Sequence, residues 1–310
     1  IMLMVVLHEY SYDKHNDKID RIYRIYTEFP KLDIVMWGGP FPLSPVLEET
    51  IPEVEHSARA YRVWGTIKVD DRELTEDQEK FYAVDSDIFK ILSIPLSDGN
   101  EEVPLPDNSS VLISENIREK HFSDKNHIGQ LVSINSQNEV DIYKITGVFK
   151  YIPETATFKT DFIFPIDLAI KKLKKRAESW RLIGLDIFVL GQEGIDIKSI
   201  EQKLPDPSEY SDKEKGSEHY RLQPYSEAHL NSNFYNSGPH KVNEDDVKFF
   251  LGIAILILII ALFNFVILSI ARFKDQIKII GIKKVLGASR SDILKSTIAE
   301  SLLYSIVSFP

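Results

Sequence analysis

Hydrophobic positions are laid out in two different ways along this chain. Up to about residue 245 they come in short alternating or helically spaced runs, broken by Gly, Pro, Asn and charged residues. From 249 to 271 they are continuous: FFLGIAILILIIALFNFVILSIA carries no formal charge and is closed by Lys248 and Arg272. At about 1.5 Å per residue a helix over this stretch reaches about 34 Å, enough to cross a hydrocarbon core of about 30 Å. A buried helix of a soluble protein would show an amphipathic stripe, and this segment has none. The pattern predicts a membrane-spanning helix.

The earlier runs predict a mixed domain. Alternation over 20–29 reads as a strand buried on both sides. Residues 43–50 read as a helix with Ser44 as N-cap and Pro45 in the first helical position. Residues 58–69 read as one strand bent at Gly65, followed by an acidic loop over 70–79 and a strand at 81–84. A helix over 87–92, a strand at 111–113 and a helix at 115–121 capped by Ser114 follow. Strands at 131–134 and 141–149 flank a turn, and 161–164, 186–190 and 220–225 supply three more. Between these, 166–177 and 196–204 read as helices, and 226–241 as a polar linker. Strands and helices that alternate without long βαβ periods predict α+β layering.

Charge gives the chain a direction. Residues 272–295 hold seven Lys or Arg against two Asp, and basic loops stay cytoplasmic, so 11–245 are expected outside the cytoplasm. That region holds 29 basic and 42 acidic residues, a balance of −13, which argues against nucleic acid as a partner. The net charge of −10 averages two oppositely charged regions. With no cysteine, packing alone must stabilise the outer portion, and eight scattered His make a structural zinc site a poor expectation. The apolar opening, IMLMVVL, is too short to cross a bilayer and lacks a signal-peptide pattern. It reads as the end of a truncated first membrane helix, and 301–310 as the entry of a further one, against the alternative of an amphipathic cytoplasmic helix.

Catalytic motifs are missing. There is no GxxxxGK[ST], GxGxxG, GxSxG or HExxH, so no cofactor site is expected and any ATP hydrolysis must sit on another chain or on a missing part. His219 and His229 lie ten apart beside acidic residues and read as solvated or core-edge side chains rather than metal ligands. The acidic run at 70–79 lacks an EF-hand pattern. The lysine run at 171–176 reads as a solvated helix face, with anionic headgroups as the functional alternative. Asn264, the one amide deep in the span, predicts hydrogen bonding to a neighbouring membrane helix. Residues 277–289, IKIIGIKKVLGAS, form a basic amphipathic segment with Gly287 as a helix stop and Ser289 or Ser291 as cap of the next helix. They are expected to make a short helix on the membrane surface that a partner can push, or one that only binds anionic lipid.

The run GIKKVLGASRSDILKSTIAES, following NFVILSIARFKDQIK, resembles the permease subunits of FtsX/MacB-type ABC transporters. The outer region resembles the MacB-type periplasmic core domain in YDKHNDKIDRIYRIYTEF, FYAVDSDIFKILSIPLSDG, SSVLISENIREKHF, DKNHIGQLVSIN, YKITGVF and RLQPYSEAHLNS. The resemblance covers nearly the whole chain, in the family's order. It implies the end of a first membrane helix at 1–10, a periplasmic core domain at 11–245, a spanning helix at 248–272, a cytoplasmic coupling segment at 273–296 and the start of another span at 297–310. It implies an α+β extracytoplasmic domain with a porter-like part and a second lobe between about 63 and 153, attached to transmembrane helices. It further implies a multi-pass subunit of the bacterial inner membrane, paired as a dimer and working with a cytoplasmic ATPase that binds the ATP. By residue match, contact with that ATPase falls on Gly281, Lys283, Lys284, Gly287, Ala288 and Ser289. Relatives use the motion to expel peptides, macrolides or lipoproteins from the periplasmic side, or to regulate cell-wall enzymes there. The rival expectation is a transmembrane receptor with an outer ligand-binding domain, and a membrane-anchored enzyme ranks last. Receptors usually continue into a polar, heptad-like linker, whereas this chain returns to apolar sequence after Glu300.

Overall fold

A computed structural model of the chain describes residues 2–69, 72–75, 80–122, 127–136, 139–211, 214–231, 234, 243–287 and 289–307. It resolves into two compact units, Leu3–Val247 and Lys248–Pro310. The large unit begins with α1 (Met2–Glu9), β1 (Ile22–Phe29), β2 (Ile34–Trp37), α2 (Leu43–Thr50), β3 (Val54–Arg62), β4 (Thr66–Val69), β5 (Arg72–Thr75), β6 (Phe81–Val84) and α3 (Ile88–Ile91). It continues with β7 (Leu96–Asp98), β8 (Ser110–Ser114), α4 (Glu115–Phe122), β9 (Leu131–Ser136), β10 (Glu139–Phe149), β11 (Phe162–Pro165), α5 (Asp167–Leu173), β12 (Asp186–Gly191), α6 (Ile197–Glu201) and β13 (His219–Pro224). Two helices remain, α7 (Glu244–Val285) and α8 (Arg290–Val307).

The strands form one mixed sheet in the order β13-β1-β12-β3-β6-β11-β8-β10-β9-β4-β5, with β2 on β1 and β7 on β10. The pairs β6–β11 and β8–β10 are parallel and the others antiparallel. β1 lies between β13 and β12, with Tyr23 opposite Pro224 and Glu28 opposite His219. Its first four residues are buried, as two covered faces require.

Alternation along the strands sends side chains to two cores. One holds Ile25, Phe81, Ile113, Phe162, Phe164 and Ile187, with Leu43 and Leu47 of α2, Ile117 of α4 and Leu168 of α5 against them. The other holds Ile22, Ala58, Ala60, Leu112, Ile163 and Phe188, with Ile88 and Ile91 of α3. Phe81 meets Phe162 edge-on at 5.5 Å between ring centres, and Tyr143 meets Phe164 at 4.8 Å. Such pairs add about 0.5–1.5 kcal/mol each beyond the area they bury. Helices and loops therefore cover both faces of an α+β domain.

Several local expectations are corrected. Residues 58–69 are two strands: β3 pairs with β12 and β6, and β4 pairs with β9 and β5. Gly65 sits at the crossover, where a Cβ would lie 2.5 Å from the Asn135 carbonyl oxygen, too close for any other residue. α2 starts after Pro42 without a side-chain cap, and the Ser44 hydroxyl instead shares a 2.7 Å hydrogen bond with that of Ser57. Part of the expected acidic loop is β5, hairpinned onto β4. Residues 70–71 and 76–79 lie outside the described residues. α5 ends at Leu173 and passes into a tighter 3-10 turn, Lys174–Glu178. The strands within 63–153 join the rest of the sheet through β3–β6, β6–β11 and β8–β11. The Ser114 cap is as expected: its hydroxyl accepts from the Ile117 N–H at 3.2 Å.

Candidate functional site

The basic segment at 277–289 does not form a separate short helix. α7 is one helix of 42 residues from Glu244 to Val285, because nothing between the apolar span and the basic turn interrupts helical spacing. Its portion Glu244–Ala271 is long and apolar enough to cross a membrane, and the apolar window within it is not buried inside the protein, whereas Val247 at its start is. The helix stops as the glycine predicts: Gly287 has φ +91°, and the Gly287 N–H donates to the Lys284 carbonyl at 3.2 Å. Positive φ is available to glycine without steric cost.

Ser289 then opens α8 with a reciprocal cap. Its hydroxyl accepts from the Asp292 N–H at 3.2 Å and donates to the Asp292 carboxylate at 2.6 Å, while the Ser289 N–H donates to that carboxylate at 3.3 Å. This is the capping-box arrangement with Asp in the fourth place. Of the six residues expected to meet an ATPase, Gly281 and Lys284 are exposed on α7, and Gly287 and Ser289 are exposed in the link to α8. Lys283 lies on α7 by its backbone, and Ala288 is outside the described residues. Asn264 is exposed along the apolar stretch of α7.

The lysine run is a solvated face at Lys171, Lys174, Lys175 and Arg176, as expected, and departs from that at Lys172. Lys172 is buried, with Nζ 2.9 Å from Asp141 Oδ2 and 3.0 Å from the Ser136 carbonyl. Lys171 pairs with Asp141 as well, and Lys174 reaches Glu139 at 3.4 Å. Burial pushes the Asp141 carboxyl up, but hydrogen bonds from Lys171 and Lys172 outweigh it and hold the group below its ordinary range. Glu139 and Asp141 stand two apart on β10, on one face of the strand. That spacing was the available signal, but it could be used only with the β10–α5 contact known.

His219 and His229 are not brought together as ligands. His219 sits opposite Glu28 in the sheet, whereas His229 Nε2 lies 2.7 Å from Glu9 Oε2 and its ring stacks on Tyr12 at 3.3 Å. Beside them Asp13, at φ 59°, accepts from the Thr157 N–H at 2.7 Å and from the Thr157 hydroxyl. These contacts fasten the end of α1 to the large unit, and sequence reasoning missed them because 220 positions separate Glu9 from His229. One trio, Glu48, His56 and Asp87, has ligand atoms within 4.8 Å of one another. Glu48 accepts from the Ser57 N–H, Asp87 pairs with Lys90 at 2.7 Å, and His56 Nδ1 lies 3.7 Å from Asp87.

A mixed sheet domain followed by one long apolar helix and a basic, capped helix–helix link defines a membrane protein with a folded extramembranous domain. The chain belongs to the MacB/FtsX-type permeases: the MacB-like periplasmic core domain matches residues 1–206 and the FtsX-like permease C-terminal domain matches residues 251–309. It is a membrane component of the ABC-transporter class, a permease and not itself the catalytic subunit, and membership implies an ABC ATPase partner and a periplasmic domain. No curated protein matches the chain.

Among solved structures, a domain of a Porphyromonas gingivalis protein assigned as a permease is similar at TM-score 0.56 and 21% identity, over 67% of this chain and 92% of that one. It supports the fold of the sheet domain. The periplasmic region of MacB from Actinobacillus actinomycetemcomitans aligns at TM-score 0.49 and 13% identity, over 76% and 99% of the two chains. The extracellular domain of the noncanonic ABC-type transporter YknZ from Gram-positive bacteria aligns at 0.43 and 13%, over 64% and 99%.

Proposed function

We propose that this chain carries motion from a cytoplasmic ATPase to a periplasmic domain, for export or extrusion of a substrate from the periplasmic side of the bacterial inner membrane. The observation that carries the reading is the unbroken course of α7, from Glu244 through the apolar span to the basic turn ending at Val285. An intact helix resists bending because each turn is hydrogen-bonded to the next, so a push on the basic turn is transmitted along the axis. In this reading the ATPase, which binds and hydrolyses the ATP, docks on Gly281, Lys283, Lys284, Gly287, Ala288 and Ser289. Gly287 and the Ser289 cap fix the angle at which α8 departs. Asn264 packs against another membrane helix, and the subunit is multi-pass and works as a pair. The described span holds no charged side chain of the sort that lines a solute path, which favours coupling over passage through this helix.

The absence of cysteine makes the test direct. Single cysteines introduced at exposed positions of the large unit, in the protein purified with its ATPase, take spin labels for distance measurement. Distances are expected to change between the nucleotide-free and ATP-trapped states, and Lys283→Glu with Lys284→Glu is expected to abolish the change and release the ATPase. Distances that stay the same in both states would overturn coupling, and retention of the ATPase by the double variant would overturn the docking site.

A further inference from the structure

The large unit contains a cavity of about 530 Å³ on the sheet face that carries Ala58 and Ala60. Pairing registers assemble its floor from four adjacent strands. Asp186 of β12 lies opposite Ala60 of β3, Arg24 of β1 opposite Phe188 of β12, and Arg62 of β3 opposite Tyr82 of β6. Residues paired across strands or two apart along one strand share a face, so Arg24, Asp186, Arg62, Tyr82 and Phe188 surround the small side chain of Ala60. Ala60, 1% exposed, forms part of the cavity floor.

The walls are aromatic and hold one another in place. Phe158 meets Tyr82 at 4.9 Å and Phe188 at 5.8 Å, and Phe188 meets Tyr225 at 5.4 Å. The Tyr225 hydroxyl accepts from the Phe158 N–H at 3.1 Å. Trp37 and Trp64 line the cavity as well. Apolar, preformed walls with a few placed polar groups are what small-molecule sites require, and the volume falls within their range of about 300–1,000 Å³.

The polar groups are unevenly satisfied. Arg24 is anchored, with Nε on Gln223 Oε1 at 2.9 Å and Nη2 on the Ala228 carbonyl at 3.3 Å. Arg62 lies over the Trp64 ring at 4.4 Å, and its Nε is buried without a hydrogen-bond partner. A buried donor left unpaired is costly, and the half-exposed Arg62 brings a guanidinium charge to the cavity lining. The charges facing this space are Arg24, Arg62, Asp186 and His229, and the histidine is already paired with Glu9. Burial pushes the Asp186 carboxyl up to about 6 against the pull of Arg24, so the single acid gives up its charge readily when a second anion arrives. A cation would meet two guanidinium groups.

We propose that this cavity is a binding site for a small amphipathic organic anion, its carboxylate set against Arg62 and Arg24 and its apolar body against the aromatic walls above Ala60. The site is independent of the coupling role. It is tested with three soluble probes that share one body, 4-phenylbutyrate, 4-phenylbutanamide and 4-phenylbutylamine, added to the full chain in lipid nanodiscs and followed by calorimetry and tryptophan fluorescence. The expected result is that the carboxylate binds and that Arg62→Gln weakens it by about tenfold or more, the worth of one charged hydrogen bond. Ala60→Leu enlarges a buried floor residue and is expected to abolish binding, with a lowered thermal midpoint from overpacking. Arg62→Gln replaces a half-exposed side chain and decides the matter if Ala60→Leu fails to fold. Equal binding of the three probes, binding of none at millimolar concentration, or undiminished binding by Arg62→Gln would each overturn the proposal.

Discussion

The large unit and α7 put the same side chains to opposite uses. In the sheet Phe81, Phe162 and Phe164 are fully buried, whereas on α7 Phe263 and Phe265 are 66% and 57% exposed. The first arrangement is stable in water because it removes apolar surface from it. The second is stable only where the surrounding medium is itself apolar, since the helix satisfies its own backbone hydrogen bonds and asks nothing further of lipid. Polar groups reverse in the same way. The large unit tolerates a buried Lys172 because Asp141 meets it, while the apolar stretch of α7 contains no charge to be met.

This contrast can be broken from either side. The largest effect is expected from Phe162→Ala, which leaves a cavity in the core under α2 and α4 and should remove about 3–5 kcal/mol of stability, read as a lower unfolding midpoint of the large unit. Ile259→Asp should leave that midpoint alone but add about 2.5–3.5 kcal/mol to the insertion of α7, read as a shift of the protein from the membrane to the soluble or aggregated fraction. Were the midpoint to fall and insertion to persist, α7 would be a core helix and not a span. The smallest effect is expected from Asp141→Asn, about 1–3 kcal/mol from a weakened buried partner of Lys172.

That last loss has a pH signature. Because the folded Asp141 is held below its ordinary value of 3.8, its contribution is complete above that value and vanishes as pH falls through the folded one. The wild-type protein and the variant should therefore converge in acid and differ at neutral pH. A difference that did not change with pH would mean that the ion pair contributes through shape alone.

What could be read without the structure follows from how local each feature is. The span, the Gly287 stop and the Ser289 cap are written in consecutive residues, and most strands announce themselves by alternation over four or more positions. Ser114 caps because α4 begins directly after it, whereas α2 begins before Ser44, whose hydroxyl bonds to Ser57 of β3 instead. Within the otherwise solvated lysine run, the burial of Lys172 could not be read locally because its partner Asp141 lies on β10. The cavity was invisible for a stronger reason: Arg24, Ala60, Arg62 and Asp186 come from three strands whose adjacency is a property of the sheet order alone. The surface helix expected at 277–289 failed for the opposite cause, since local signals of amphipathicity do not say where a helix began.

The pairing of β1 with β13 joins the segment that follows α1 to the one that precedes α7. Because the two strands run antiparallel, Tyr23 near the start of β1 faces Pro224 at the end of β13, and both tethers leave the sheet from the same end of one ribbon. Equal tension on the two tethers is shared by the whole ribbon and loads its hydrogen bonds together. Tension from the α1 side alone meets the Glu9–His229 and Asp13–Thr157 contacts before it reaches Tyr23, so those contacts take the first load.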